Sequence, residues 1–231
     1  LIEEQKSASK GQQLRSDVEI RQDWQKLSRS LIYSTSRLAG FGVYAGDELL
    51  YSYYNSFVSY DTDIISETDL TRAESQKSPL WTDLMTLKST GGWYHKEEPV
   101  YSVLKYVQDE EGKHLGTVVL FVRETSFSDI LSNTEDTQNR QFYLVNQDNQ
   151  VISSVDKAFL SQDAGAMLGL SESEYLTCLN KGQLLLEPVG KAPILYMASD
   201  IKGTPFRLIG RTVLEELRVQ RRELAVFMQI T

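Results

Sequence analysis

A chain of 231 residues is long enough for one large domain or two modest ones, each burying a real core. Its 41% apolar and 24% charged residues suit a soluble globular protein, and a formal net charge of −8 excludes nucleic acid or an anionic membrane surface as main partner. The single cysteine, Cys178, excludes an internal disulfide framework, and no apolar run reaches the roughly 18 residues of a transmembrane helix.

In chain order, residues 1–11 carry no clear period, and Gly11 weakens a continuous helix there. Ser16 and Glu19 form a capping box at the start of a helix whose apolar stripe runs Ile20, Trp24, Leu27, Leu31, Ser34, Leu38. Such a stripe fits a helix packed on its own sheet or the seam of a coiled-coil dimer, and both readings stay open. Phe41–Tyr44 and Leu49–Tyr54 read as a strand pair around Ala45-Gly46-Asp47-Glu48. Residues 62–76 read as a loop with a short helix after Ser66. Ser78-Pro79 has the form of an N-cap followed by proline at the first helical position, predicting a helix with Leu80, Leu84 and Leu87 that closes at Gly91-Gly92.

Residues 92–131 organise the first half. Pro99–Gln108 and Lys113–Arg123 are two strands of a long hairpin, with turn residues Asp109-Glu110-Glu111-Gly112 between them. Thr125, Ser126 and Asp129 then start a helix with Phe127, Ile130 and Leu131 on one face. A strand handed directly to a helix can carry a change at the sheet into that helix.

The second half repeats this plan. FGVYAGDELLYS from Phe41 aligns without gaps on the stretch from Phe142, pairing Val43 with Leu144, Asp47 with Asp148 and Ser52 with Ser153; LFVR at 120–123 matches LIGR at 208–211. Ser171 and Glu174 cap a helix ending at Asn180-Lys181-Gly182. Gln183–Glu187, Pro193–Ser199 and Pro205–Arg211 read as strands, and Thr212 with Glu215 caps a last helix. Each half thus gives helix, two strands, helix, three strands, helix. The expected fold class is α+β: two tandem PAS-like domains, each an antiparallel sheet with flanking helices, joined to a long N-terminal helix.

Catalytic motifs are missing. There is no glycine-rich phosphate loop, no nucleophile elbow and no zinc-binding pattern, and Cys178 falls inside an amphipathic helix. A non-enzymatic segment without cofactor or metal is expected. Binding has more support, because Trp81, Trp93 and many tyrosines cluster between residues 41 and 123. In the strand 117–123, Val118, Leu120 and Val122 make an apolar face for the N-terminal helix, while Thr117, Val119, Phe121 and Arg123 face a pocket. A four-residue turn would set Ser102 opposite Val119 and bring Tyr106 to the pocket face. A bulge at Gly112 would slip the register by one and bring Tyr101 and Lys105 there instead. A cation at Arg123 or Lys105 would favour a carboxylate, phosphate or sugar acid, or else form a surface ion pair.

The stretches VYSVLKYV, EEGKHLGTVVLFVRETSFSDIL and PFRLIGRTVLEEL, with the long N-terminal helix and the doubled plan, resemble the extracellular double-Cache sensor region of bacterial histidine kinases, especially the YesM-like group. The resemblance covers nearly all of residues 12–231. It implies a membrane-embedded homodimeric receptor with this segment on the extracellular or periplasmic face, transmembrane helices at both ends and a kinase beyond. The abrupt ends at Leu1 and in AVFMQIT suit a piece of a larger protein, although Arg218, Arg221 and Arg222 put positive charge on a flank the positive-inside bias disfavours. The expected parts are a stalk at 1–37, a membrane-distal domain at 38–124, a membrane-proximal domain at 125–211 and a C-terminal helix at 212–231.

In the amino-acid-sensing branch of that family, an Arg-x-Trp-Tyr element, a Tyr-x-Asp element and a late aspartate hold the ligand. The resemblance puts Trp81 at the tryptophan, with Pro79 and Thr82 for the arginine and tyrosine, Trp93 and His95 near the second element, and Phe121 for the aspartate. That disfavours an amino acid and leaves a sugar, sugar acid or other anion. The expected ligand-binding residues are Trp81, Trp93, His95, Tyr101, Ser102, Lys105, Phe121 and Arg123. The rivals are a chemotaxis-receptor ectodomain, another Cache-linked regulator, or a protein-interaction module with a vestigial pocket.

Overall fold

The computed structural model describes residues 19, 22–30, 35–54, 65–76, 78–88, 97–134 and 139–215. The chain divides into two compact units, Leu1–Glu124 and Thr125–Thr231. Among the described residues no helix is long and apolar enough to cross a membrane.

The first unit is built on an antiparallel sheet with strands β1 (Leu38–Ala45), β2 (Glu48–Tyr54), β3 (Leu80–Trp81), β4 (Met85–Lys88), β5 (Glu97–Gln108) and β6 (His114–Arg123). Its order is β2-β1-β6-β5-β3, and β4 also pairs with β5. Helix α1 (residues 22–30) lies on one face, and α2 (Glu67–Ser75) contacts β5, β3 and β6. Ser66 caps α2 by accepting from the Asp69 amide at 3.1 Å. Leu70 and Ala73 of α2 join a core with Ala39, Tyr44, Ile65, Leu80, Leu87, Val100, Leu104, Val119 and Phe121.

The second unit contains α3 (Thr125–Ser132), β7 (Arg140–Val145), β8 (Val151–Ser153), α4 (Ala164–Leu168), α5 (Glu172–Lys181), β9 (Gln183–Leu186), β10 (Ile194–Asp200) and β11 (Arg207–Val213). Its sheet order is β8-β7-β11-β10-β9, the order of the first unit repeated once β3 and β4 are counted as one broken strand. The fold class is therefore α+β, with a PAS-like antiparallel sheet formed twice. At α5 the expected capping box is present: Ser171 accepts from the Glu174 amide, and Glu174 accepts from the Ser171 amide at 2.8 Å. The Ser171 hydroxyl, which donates to Glu174 Oε2 at 2.5 Å, and the Ser171 amide together hold the Glu174 carboxyl below its ordinary range.

Three local expectations are corrected. The segment after Ser78-Pro79 is not a helix. Leu80 and Trp81 pair with Leu104 and Val103, and Met85–Lys88 pairs with Val100 back to Glu97, because the edge of the 12-residue β5 takes up their backbone groups. The N-terminal stripe does not run helically to Leu38, which already belongs to β1; the Thr35 hydroxyl accepts from the Arg37 amide in the turn between them. Within α1, Trp24 and Ser28 face the sheet, while Leu27 is 50% exposed. Trp24 stacks on Tyr51 at 6.0 Å, the Ser28 hydroxyl lies 3.2 Å from the Tyr51 hydroxyl, and Phe41, Val43, Tyr53 and Leu120 complete that layer. Finally, Thr212 and Val213 are still in β11, so Thr212 does not cap a helix; Glu215 is helical, and residues 216–231 lie outside the described set.

Candidate functional site

The hairpin register decides which side chains share the face under α2. Gly112, at φ 83°, lengthens the β5–β6 turn to Asp109–Lys113, because a left-handed residue is needed there; Asp109 closes it by donating its amide to the Lys113 carbonyl. That slips the register by one. A bulge at Leu115 then slips it once more, pairing Val107 with Gly116 and Gln108 with His114. The two slips cancel for orientation. Ser102 and Tyr106 lie on the face of Thr117, Val119 and Phe121, with Ser102 opposite Phe121 rather than Val119.

Reading the paired residues across the sheet gives four rungs of this enclosed face. The first is Leu49, Tyr44, Thr117, Tyr106; the second is Ser52, Gly42, Val119, Leu104, Leu80. The third is Tyr54, Gly40, Phe121, Ser102, and the fourth is Arg123, Val100, Met85. Six residues separate Thr117 from Arg123, so the face is about 20 Å long. Gly40 is required by close approach: a Cβ there would stand 2.4 Å from Tyr54 Cδ1 and 2.6 Å from the Tyr53 carbonyl oxygen. The Tyr54 ring takes that space and stacks on Phe121 with centroids 5.7 Å apart.

Hydroxyl and thioether groups line the middle. The Ser102 hydroxyl lies 3.1 Å from Met85 Sδ, and the Ser102 amide donates to Thr82 Oγ1 at 3.0 Å. At the end nearest the second unit in sequence, Arg123 Nε donates to Glu98 Oε1 in a largely buried pair, and Arg123 Nη1 donates to the Ser36 carbonyl at 2.6 Å. At the turn end, the His114 ring stacks on Tyr106 at 4.3 Å, with its Nδ1 3.8 Å from Glu74 Oε1 on α2. His114 Nε2 and Thr117 Oγ1 are buried and make no hydrogen bond among the described residues.

The eight expected site residues divide. Ser102, Phe121 and Arg123 share the enclosed face. Trp81, Tyr101 and Lys105 lie on the opposite one: Trp81 pairs with Val103, Tyr101 is fully buried opposite Val122, and Lys105 is exposed opposite Val118. Trp93 and His95 lie outside the described residues. Of the two cations weighed for an anion, Arg123 is engaged by Glu98 and Lys105 is exposed on the opposite face. Sequence reading passed over His114 as a site residue; its place on the enclosed face follows from a bulge at Leu115 that no local signal marks.

The corresponding face of the second unit is lined with tyrosines. Where the first unit has Gly42, the aligned position carries Tyr143, which packs with Val145, Val151, Ala164, Tyr175, Cys178, Tyr196 and Ile209. Each tyrosine hydroxyl has an acceptor: Tyr143 donates to Gln141 Oε1 at 3.1 Å, Tyr175 to Asn149 Oδ1 at 3.3 Å and Tyr196 to the Leu168 carbonyl at 3.4 Å. Burial, reinforced by the Asp163 carboxylate, pushes the Tyr175 phenol up to about 12. Burial also pushes the Cys178 thiol up.

No family model matches the chain, and no curated protein matches it by sequence. Its fold is similar to solved sensor domains. The extracellular domain of rpHK1S-Z16, assigned as a histidine kinase, is 14% identical with a TM-score of 0.58, covering 88% of each chain. The ligand-binding domain of the Pseudomonas aeruginosa PAO1 amino-acid chemoreceptor PctB, solved with L-Arg, is 13% identical with a TM-score of 0.56, over 89% of this chain and 83% of that one. The ligand-binding domain of the Pseudomonas fluorescens chemoreceptor CtaA, solved with L-leucine, is 13% identical with a TM-score of 0.55, over 80% and 75%.

Proposed function

We propose that this chain is the extracellular ligand-sensing region of a homodimeric membrane receptor, a two-component sensor histidine kinase of the YesM-like kind, with flanking transmembrane helices. The membrane-distal domain, 38–124, binds a small molecule on the face beneath α2. The membrane-proximal domain, 125–211, passes the change to the helix that follows. One contrast carries this reading: the two units share a strand order, yet one encloses polar atoms that make no hydrogen bond among the described residues while the other has lined its face with hydrogen-bonded tyrosines. Nothing but a preference for one arrangement can shift the receptor's balance, so the ligand must bind one conformation more tightly. The joint for transmission is short: Glu124 alone separates β6 from α3, and its amide is tied to the Pro99 carbonyl at 3.0 Å.

The fold also suits the ectodomain of a chemotaxis receptor, since PctB and CtaA have it. The sequence after residue 231 in the full-length gene product separates the two, a kinase core supporting the reading and a methyl-accepting coiled coil opposing it. An amino acid is disfavoured as ligand because Phe121 presents a ring to Tyr54 on the face and Glu98, the nearby carboxylate, is taken by Arg123. The binding claim is tested by melting the protein with sugars, sugar acids, peptides and amino acids. A ligand at 100 times its Kd adds about 2.7 kcal/mol, which raises the melting of a domain this size by roughly 10 °C. No shift with any class would count against a sensing role and favour an interaction module.

A further inference from the structure

The turn end of the enclosed face holds chemistry that the fold itself does not use. Thr117 is 1% exposed and sits between Tyr44 on β1 and Tyr106 on β5, and its Oγ1 has no hydrogen-bond partner among the described residues. His114 stacks on the same Tyr106, and its buried Nε2 is also without one. Folded proteins rarely leave such atoms unsatisfied, because the lost hydration is not returned. Two of them flanking one aromatic ring, under the helix that carries Glu74, mark a place where something else supplies the partners.

The donor and acceptor pattern narrows that partner. In the tautomer with the proton on Nδ1, the nitrogen that lies 3.8 Å from Glu74 Oε1, the Nε2 lone pair is an acceptor. The Thr117 hydroxyl can donate or accept. Ligand hydroxyls satisfy both, one donating to Nε2 and one accepting from Thr117. A carboxylate cannot: it offers no proton to Nε2 and meets the Glu74 charge. Arg123, at the far end of the face, is held by Glu98 and the Ser36 carbonyl.

We propose that His114 and Thr117 form the polar end of the ligand site in the first unit and hydrogen-bond hydroxyls of an uncharged, polyhydroxylated small molecule, a sugar or polyol. This rests on reading the first unit as the ligand-binding one. Thr117→Val and His114→Phe test it, each retaining shape while removing the polar atom. Without any ligand, Thr117→Val exchanges an unpartnered hydroxyl for a methyl group and raises the melting temperature by about 2–4 °C. A fall would overturn the proposal, because it would mean the hydroxyl serves the fold. Calorimetric titration then compares wild type and both variants against glucose, galactose, arabinose and inositol, the matching uronic acids, and amino acids. The expected result is binding of an uncharged compound by wild type, weakened at least tenfold in each variant. Equal binding by all three proteins would overturn the polar end while leaving the ligand site in place. Binding of acids or amino acids alone, or of nothing in the panel, would overturn the proposed ligand class.

Discussion

Phe121→Ala is expected to destabilise the first unit by about 3–5 kcal/mol, leaving the second unit's unfolding unchanged. Phe121 is 1% exposed, at the centre of the third rung, with Gly40 on one side and Ser102 on the other. Gly40 has no side chain to move into the space, and Ser102 is tied to Thr82 and Met85. The lost stack with Tyr54 adds to the cavity. Phe121→Leu, which leaves a smaller void, should cost less than half as much. Denaturant unfolding followed separately by Trp24 and Trp81 fluorescence in the first unit and by exposure of the buried Cys178 thiol in the second gives the comparison. A loss under 1 kcal/mol would mean that the face is loosely packed there.

Arg123→Ala should cost the first unit about 3 kcal/mol, well beyond the value of an ordinary surface pair. Its partner Glu98 is 9% exposed and would lose the guanidinium beside it, and the Ser36 carbonyl would lose its donor. Much of the loss is therefore the cost of keeping a buried carboxylate after its guanidinium is gone, rather than the worth of the pair itself. Adding Glu98→Gln to Arg123→Ala should recover part of it, since a neutral amide is cheaper to bury. A double mutant as unstable as the sum of the singles would show that the two side chains act independently.

The sequence made the doubled plan legible because strand, turn and cap signals are local. Ser66, Ser171 and Glu174 act as expected, and the β1–β2 and β5–β6 pairs lie where the turn residues put them. The repeat holds in strand order, although its register is displaced: Phe41 faces Leu120, while Phe142 faces Gly210 rather than Leu208. The shift is two residues, which leaves each side chain on its face.

What sequence could not reveal depends on pairing between distant segments. Ser78-Pro79 and the leucine spacing argue for a helix as long as residues 78–88 stand alone; beside the open edge of β5 the same residues gain sheet hydrogen bonds and still bury Leu80 and Leu87. Trp81 consequently faces away from Ser102 and Phe121. In α1 the period was sound but its phase was not: Ser28, fully buried beneath Tyr51, lies at the contact that Leu27 was expected to make. Glu98 lies 25 residues from Arg123, and nothing near Arg123 in the chain marks it as the partner. The polar end of the site emerges from two cancelling register slips, one at Gly112 and one at Leu115, which no periodicity shows.

Methyl-resolved NMR of the 231-residue protein, titrated with the sugar and polyol panel, tests most directly whether the first unit's enclosed face is the ligand site. The account predicts that the largest shifts fall on Leu80, Leu104 and Val119, with smaller ones in Val145, Val151 and Ile209 of the second unit's core. Largest shifts on that second set, or no methyl moved by any compound in the panel, would contradict it.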